Sequence, residues 1–472
     1  MKKMYFFFFA ATPFINVMSQ AKERPNVILI FPDQMRFDAL GCTGNPDVKT
    51  PNIDRFAGEG MLLKNTFSNT PVSGPARADI LTGRYAHKNG LVANDLRLKE
   101  SEVTIAEILG KKGYETGFIG KWHLDGGPKD PGYIPPQRRQ GFEYWAANEC
   151  NHKHFKSSYF RNDSVPIPIS EFETKAWTVE AINFLEKRSS RPFFLTIAMG
   201  PPHDPYKAPE EFRNLYDTSK LTMRPNWVKG VKNGSKEDLA EYYGMISAID
   251  AEFGRLMQEL ENHHLRKNTI ILFISDHGDM LGSHGRVFKR QPWEESVRVP
   301  GIISWPGKIP DGKICNALFS TVDFMPTLLD FCAVDIPDEV QGVSLKKSIL
   351  NNAPGPEVVY FSIYGPCKWQ SVESGWRGIR THRYKYATFE NKPWILYDLE
   401  SDPFETNNLI DNPVYRELQH KMHADLLLCM KKTGDSWNNN WTYPFADNFE
   451  LIKAPFYSVK EFFEWKEKQP NL

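Results

Sequence analysis

The stretch Thr269-Ile270-Ile271-Leu272-Phe273-Ile274-Ser275 runs directly into Asp276-His277-Gly278-Asp279. An apolar run without polar alternation predicts a strand that is buried on both faces of a sheet. Catalytic groups of open α/β sheets gather outside the carboxyl ends of the strands, so the polar segment predicts one side of a functional site. Three other predicted strands lead into polar segments in the same way: Asn26–Phe31 before Pro32-Asp33-Gln34, Thr116–Ile119 before Gly120-Lys121-Trp122-His123, and Pro192–Ala198 before Gly200-Pro201-Pro202-His203.

Helical patterns alternate with these strands, most clearly over Glu173–Lys187 and Lys236–Asn262. The alternation predicts an α/β fold, with a large mixed, mostly parallel sheet sandwiched by helices. After Pro354-Gly355-Pro356 the pattern changes to short extended pieces and then to a helical stretch, Pro413–Lys432. This change predicts a smaller C-terminal antiparallel sheet with a packed helix. The extended pieces are Glu357–Ile363, Arg377–Arg380, Tyr384–Thr388 and Ile395–Asp398.

We therefore divide the chain into residues 1–20, a signal peptide, residues 21–355, a catalytic α/β domain, and residues 356–472, a smaller α+β subdomain. The length of 472 residues agrees with two or three structural units. The aromatic-rich closing segment, Trp437–Leu472, is predicted to lie over the main body.

The composition supports a large core and excludes some partners. Hydrophobic residues make up 41% of the chain, unlike a disordered protein. Lys plus Arg and Asp plus Glu both number 58, so the formal net charge is zero. A nucleic-acid-binding protein would show a basic excess, and we predict no such partner. Attraction for an anionic substrate must come from a few converging cations.

The N-terminus predicts export. Lys2 and Lys3 precede an apolar run, Tyr5–Val17, that small or polar residues follow near Ser19. The run is shorter than the roughly 20 residues of a membrane span, and the first cysteine, Cys42, lies well beyond the cleavage region. We predict an exported protein without a membrane anchor, periplasmic in the first instance, with full secretion as the alternative.

The six cysteines are widely scattered, and none forms a C-x-x-C pair. This spacing supports neither a zinc ribbon nor a thioredoxin motif. Export permits disulfides, and unpaired buried thiols are the equal alternative.

The segment Ser73-Gly74-Pro75-Ala76-Arg77-Ala78-Asp79-Ile80-Leu81-Thr82-Gly83-Arg84 specifies several positions at once. It resembles the signature of the type I sulfatases, whose first residue, Cys or Ser, is oxidised to formylglycine. Further landmarks of that family follow in order along the chain: Gly-Lys-Trp-His at 120–123, Pro-Pro-His at 201–203, Ser-Asp-His-Gly-Asp at 275–279, Leu281-Gly282-Ser283-His284-Gly285 before Lys289, and Leu396-Tyr397-Asp398-Leu399 before Asp402-Pro403.

The resemblance implies a serine-type sulfatase of the alkaline phosphatase-like superfamily, similar to bacterial carbohydrate sulfatases. It also implies a sulfatase-maturating enzyme as a partner that acts on Ser73. A serine in place of a cysteine indicates the radical, oxygen-independent type of maturating enzyme.

A divalent cation is the first implied cofactor. The resemblance assigns Asp33, Gln34, Asp276 and His277 as its ligands, with formylglycine at Ser73 completing the set. Oxygen ligands from the protein favour calcium over magnesium. The sequence departs from the commonest family pattern in having Gln34 where an aspartate is frequent and His277 where an asparagine is frequent. The alternative for these pairs is a helix cap or surface polar residues.

Formylglycine is the second implied cofactor. One hydroxyl of its hydrated form attacks sulfur while the alcohol departs, and loss of a proton from the other then expels sulfate. This covalent route replaces one difficult step by two easier ones. Arg77 is implied to hold the formylglycine.

Four more side chains have implied catalytic roles. Lys121 and His123 lie two residues apart in an extended segment, which places both on one face. The resemblance makes Lys121 a partner of the formylglycine oxygen and sulfate, and His123 the base that triggers sulfate release. His203 would bind sulfate and protonate the leaving alcohol, and Lys289 would hold the bridging oxygen. The alternative for each histidine is a structural role.

Residues that select the sugar are harder to predict. Polar and aromatic side chains in three regions suit sugar hydroxyls and carboxylates, and a solvated loop is the alternative for each. The candidates are Asn94, Asp95, His152, His154, Arg161, His284, Trp376 and Arg377, with Trp369 beside the last two.

The sequence therefore predicts hydrolysis of sulfate esters on carbohydrates such as glycosaminoglycan or mucin-type fragments, with a weak preference for 6-O-sulfated hexosamine or galactose. Three alternatives stay open: a 2-O-uronate sulfatase, a formylglycine-dependent phosphodiester or phosphonate hydrolase, and an inactive glycan-binding protein if Ser73 is unmodified.

Overall fold

The computed structural model describes residue 1 and residues 24–126, 132–365, 367 and 370–437. The predicted signal peptide, Trp369 and the closing segment beyond residue 437 lie outside this part of the chain.

The described residues form fifteen strands in three sheets. In chain order they are β1 (Asn26–Pro32), β2 (Met61–Phe67), β3 (Glu115–Lys121), β4 (Tyr144–Asn148), β5 (Ser157–Tyr159), β6 (Ile167–Ile169), β7 (Phe193–Met199), β8 (Thr269–Phe273), β9 (Arg298–Val299), β10 (Ile302–Ser304), β11 (Lys313–Ser320), β12 (Val359–Ile363), β13 (Trp376–Arg380), β14 (Tyr384–Phe389) and β15 (Lys392–Asp398).

The large sheet has nine strands in the order β11-β2-β10-β8-β1-β7-β3-β4, with β9 paired to β2. Its centre is parallel, because β1 pairs in parallel with β7 and β8, and β3 pairs in parallel with β7 and β4. β10 runs antiparallel to both β8 and β2. The predicted mixed, mostly parallel sheet is confirmed.

Helices cover both faces of this sheet. The helices are α1 (Pro51–Gly58), α2 (Ser73–Thr82), α3 (Ala86–Asn89), α4 (Ile105–Lys111), α5 (Glu173–Lys187), α6 (Glu210–Arg213), α7 (Lys236–Asn262), α8 (Glu294–Val297), α9 (Phe324–Phe331), α10 (Lys346–Asn351) and α11 (Arg416–Thr433). None of those long enough to cross a membrane is sufficiently apolar to do so.

Alternate residues of β1 show the sandwich directly. Val27 and Leu29 point into the core that α2, α4 and α9 cover, whereas Ile28 and Ile30 point into the core that α1, α5 and α7 cover. A strand packed on both faces needs apolar residues at successive positions, which is the pattern of its sequence.

The smaller sheet is antiparallel, in the order β12-β13-β14-β15. One face packs on α11, where Tyr386 and Leu396 meet Leu426. The other face packs on the catalytic domain through Phe361 and Trp376. The predicted C-terminal sheet with its packed helix is confirmed. All six cysteines lie in described segments and are free, so the unpaired alternative holds.

The strand order brings the four polar segments together. β8, β1, β7 and β3 are neighbours in that order and run parallel, so their carboxyl ends lie side by side. Asp276, Asp33, His203 and Lys121 therefore approach one another from positions up to 243 residues apart in the chain.

Gly120, just before Lys121, allows the closest approach of β3 to β7. Its φ is +106°, and a Cβ atom there would lie 2.0 Å from the carbonyl oxygen of Ala198. Gly120→Ala should therefore destabilise the fold by at least about 2 kcal/mol, from backbone strain and a backbone clash. The measurement is the urea midpoint of unfolding.

Gly110→Ala is the matched control. Gly110 lies in α4, and its added Cβ would meet nothing closer than a methyl group of Thr116 at 3.9 Å. Alanine is favoured in a helix by about 0.5–1 kcal/mol, so its midpoint should stay or rise. Equal midpoints for the two variants would contradict this account of the β3–β7 contact.

Candidate active site

Ser73 is the first residue of α2 and is fully buried at the carboxyl edge of the large sheet. Its hydroxyl lies 3.0 Å from Nε2 of His277 and 3.3 Å from Oδ1 of Asp33. Lys289 Nζ donates to the same oxygen over 3.2 Å. The Asn94 side chain accepts from the Gly74 amide over 2.9 Å, which anchors the start of the helix. Ser73 thus lies between an acidic side and a basic side.

Two buried carboxylates form the acidic side. The Arg77 guanidinium bridges them, 3.2 Å from Asp33 and 3.0 Å from Asp276, and Lys121 Nζ lies 2.5 Å from Asp33. Burial opposes ionisation of Asp33, but the charges of Lys121 and other cations, Lys289 among them, hold its pKa well below the usual range. Burial and the negative charge of Asp33 raise the pKa of Asp276 to about 6.

These carboxylates suit a divalent cation. Ligand atoms of Asp33, Asp276 and His277 all lie within 4.8 Å of one another, and all three side chains are buried. Burial and the neighbouring charge of Lys289 lower the pKa of His277 well below the usual value, so its imidazole is neutral and keeps a free lone pair. Arg77 and Lys121 already pair with these carboxylates, and a bound cation would add to the stabilisation of their buried charge.

The fourth predicted ligand, Gln34, is oriented by a residue whose role the sequence analysis missed. Its amide nitrogen donates to Asp279 over 2.5 Å, so its oxygen faces Lys289 Nζ at 2.8 Å and the centre of the site. Tyr206 donates to the same Asp279 carboxylate over 2.6 Å. Asp279 stands in the quoted Asp-His-Gly-Asp segment, which was the available signal.

Lys289 and His203 form the basic side. Their side-chain nitrogens are 2.8 Å apart, and Nδ1 of His203 lies 2.6 Å from the backbone oxygen of Asp204. Because a carbonyl only accepts, Nδ1 carries the proton and Nε2 accepts from Lys289. Burial and the charge of Lys289 lower the pKa of His203 well below the usual value, and burial lowers the pKa of Lys289 as well.

His123 lies on the other flank of Lys121, with Nε2 at 3.6 Å from Oδ1 of Asp95. Cys150 is a second neighbour that the sequence analysis missed, because nothing in the surrounding sequence marks it as functional. Burial opposes both the imidazolium form of His123 and the thiolate form of Cys150, but the two opposite charges stabilise each other. Cys150 and Asp95 raise the pKa of His123, while His123 and Lys121 lower the pKa of Cys150 well below that of an ordinary thiol.

Three of the predicted substrate-binding residues lie at the site. Asn94 and Asp95 contact the Ser73 turn and His123 as described. The exposed His152 ring stacks on His203, with centroids 4.4 Å apart and planes 16° apart.

The other five candidates make contacts with protein groups outside the Ser73 cluster, and their assignment to the sugar stays a prediction. His154 is buried between Glu173 and the backbone oxygen of His203, and Arg161 pairs with Glu180. Both are polar side chains that stabilise the frame around the site.

Trp376 and Arg377 are buried as well. The Trp376 indole donates to the backbone oxygen of Arg290 over 2.9 Å, so it holds the Lys289 segment. The Arg377 guanidinium pairs with Asp435 over 2.5 Å.

His284 stacks on Trp293 at 4.5 Å and lies 3.0 Å from the amide nitrogen of Asn226. It therefore braces the loop before Lys289. Its neighbours Glu295 and Glu405 are paired with Arg224 and Lys385, both over 2.8 Å, so this second group of potential ligands is already neutralised.

Comparison with known proteins identifies the family of this chain. The sulfatase family model matches residues 25–334, and a model of the N-sulphoglucosamine sulphohydrolase C-terminal region matches residues 282–433. The chain is 36% identical to an ulvan-active sulfatase of Formosa agariphila, over 91% of this chain and 86% of the relative.

Two solved structures share the fold. The candidate sulfatase yidJ of Bacteroides fragilis has a TM-score of 0.80 at 31% identity, covering 89% of this chain and 98% of the other. A structure solved in complex with its substrate, D-glucosamine-2-N,6-O-disulfate, has a TM-score of 0.79 at 28% identity, covering 89% of this chain and 99% of the other. With the signature serine seated between paired carboxylates and a lysine–histidine pair, this chain belongs to the sulfatase family of sulfuric ester hydrolases.

Proposed function

We propose that the protein removes sulfate from carbohydrate chains, by means of a formylglycine made from Ser73 and a calcium ion held by Asp33, Gln34, Asp276 and His277. The observation that carries the proposal is the place of the Ser73 oxygen, which lies within 3.3 Å of Asp33, His277 and Lys289 at once. A nucleophile at this position faces the proposed calcium ligands Asp33 and His277 on one side. On the other side it faces the positively charged Lys289, which is suited to binding sulfate. Calcium would supply a positive charge that binds sulfate oxygens, and formylglycine would supply a stronger nucleophile than a serine hydroxyl.

The chain's own residues position and stabilise the reacting groups. Arg77 and Lys121 pair with Asp33, whose carboxylate lies 3.3 Å from the Ser73 hydroxyl, so both cations would stabilise negative charge that develops beside it. His203 Nε2 accepts from Lys289 Nζ, so the two side chains share a proton that would be available to the leaving oxygen. Because burial lowers the pKa of Lys289, this pair is suited to donating that proton as the S–O bond breaks.

Maturation must precede folding in this proposal. Ser73, Pro75 and Arg77 are buried in the folded chain, so the maturating enzyme has to read the segment before α2 docks. We further propose that the protein is exported, to the periplasm in the first instance, after the N-terminal segment is removed.

The sugar assignment is the finer part of the proposal. We favour a 6-O-sulfated hexosamine or galactose within a larger anionic glycan, with a 2-O-sulfated uronate as the competing substrate. The complex of a related protein with glucosamine-2-N,6-O-disulfate and the ulvan activity of a relative support a sulfated-polysaccharide substrate.

Peptide mass spectrometry and sulfate release test the proposal together. In protein made with a radical maturating enzyme, the Ser73 peptide should be about 2 Da lighter than the serine form. Only that protein should release sulfate from defined sulfated sugars, and Ser73→Ala should release none. Oxidised protein that cleaves an aryl phosphodiester better than every sulfate ester would contradict the sulfatase assignment, and unmodified protein from the native host would favour a glycan-binding role.

The role of His203 predicts a dependence on the leaving group. His203→Ala should lower kcat on a sulfated sugar by about 100-fold or more, because a sugar alkoxide leaves poorly without a proton. The loss should be much smaller with 4-nitrophenyl sulfate, whose leaving group needs little protonation. His420→Ala, at an exposed position of α11, is the control and should not change either rate. Equal losses on both substrates would show that His203 does not act on the leaving group.

A further inference from the structure

A cleft of 760 Å³ opens beside the active site, between residues 152–156 and residues 205–213. Its volume falls in the range of small-ligand sites. His152 connects the cleft with the active site, because it lines the cleft and its ring stacks on that of His203, with centroids 4.4 Å apart. Under the proposed function the sugar alcohol leaves on the His203 side of Ser73, and the cleft lies on that same side.

The walls of the cleft combine apolar surface with unpaired positive charge. Phe155, Pro205 and Pro209 provide apolar surface of the kind on which sugar rings rest. Lys153, Lys156 and Lys207 are all exposed at its rim, and within the described residues none of the three has an ion-pair partner.

The negative charges of the cleft do not balance these lysines. Arg213 and Glu241 lie 3.3 Å apart and neutralise each other. Glu210 is then the one remaining acidic side chain among the lining residues, against three lysines. The chain as a whole has zero net charge, so attraction for an anionic substrate has to be local. The excess of lysines at this cleft provides such a local attraction.

We infer that this cleft binds the sugar next to the sulfated one, through a second anionic group on that neighbour. The ligand class is a carboxylated or sulfated sugar unit, so the enzyme prefers a polyanionic oligosaccharide to an isolated sulfated monosaccharide. The inference rests on the proposed function, which places the leaving sugar on the His203 side. It assigns Lys153, Lys156 and Lys207 to substrate selection and gives them no part in the chemistry.

The test compares two triple variants with the same loss of charge. K153A/K156A/K207A removes the rim of the cleft. K111A/K112A/K187A is the control, because its three lysines are exposed and precede β3 and β7, at the opposite edge of the sheet from Ser73. The substrates are a sulfated disaccharide with a uronate neighbour, the same disaccharide with the carboxyl group reduced to an alcohol, and the sulfated monosaccharide.

We expect the cleft variant to lower kcat/KM for the uronate disaccharide about tenfold, mainly through KM, since the attraction of three exposed lysines for its carboxylate is lost. The reduced disaccharide and the monosaccharide should change less than about twofold. The tenfold difference should shrink in 0.5 M NaCl, which screens exposed charges. Equal changes on all three substrates, or equal behaviour of the two triple variants, would overturn the inference.

Binding separates this inference from the proposed function. In a Ser73→Ala background the uronate disaccharide is not cleaved, and calorimetry should show about tenfold weaker binding when the cleft lysines are replaced. If wild-type protein releases no sulfate but this loss of affinity is found, the proposed reaction fails and the cleft assignment stands. If binding does not depend on the lysines, the cleft assignment fails whatever the activity. A disaccharide with a second sulfate in place of the carboxylate identifies which anion the lysines prefer.

Discussion

Two carboxylates, Asp33 and Asp276, are fully buried side by side, and the arrangement of the site depends on how their charge is balanced. Arg77 and Lys121 neutralise them from one side, and Lys289 faces them across Ser73. Charges removed from water are costly unless they are paired with good geometry. Such a cluster persists only where a rigid frame holds it, and the neighbouring parallel strands β8, β1, β7 and β3 supply that frame. Side chains whose pKa is shifted by burial and neighbouring charges are concentrated at functional sites.

The smaller sheet completes the site from outside. Trp376 of β13 holds the backbone of Arg290, and the Gln291 amide donates to the backbone of Gln370 over 2.7 Å. These bonds fix the segment that carries Lys289, so the position of the sulfate-facing lysine depends on the C-terminal sheet. The sheet thus contributes to the site by positioning, while the reacting groups come from the large sheet and α2.

Much of this could be predicted from the sequence, because the signals were strong and local. Uninterrupted apolar runs predicted the central strands, and the polar residues after them could only meet at one edge of a parallel sheet. Gln34 and His277, which depart from the commonest family pattern, are held beside the carboxylates because Asp276 Oδ1 accepts hydrogen bonds from both of their backbone amides. The cation and the modified serine themselves remain proposals.

The contacts of several candidate residues could not be predicted from the sequence, and the reason is physical. Arg161, Arg377 and His154 are residue types that bind sugars, but the same groups pair with buried carboxylates, and only the fold decides which occurs. The Asp-His-Gly-Asp segment marked Asp279, but the contacts of Asp279 with Gln34 and of Cys150 with His123 join separate segments, and the sequence does not show which of those residues meet.

Calorimetric titration of calcium into metal-depleted protein tests whether the buried carboxylates bind a cation. One ion should bind per chain, and binding should be lost when Asp33 or Asp276 is replaced by asparagine. Absence of binding to the wild-type protein, or undiminished binding to both variants, would show that the buried carboxylates serve the fold and not a cation.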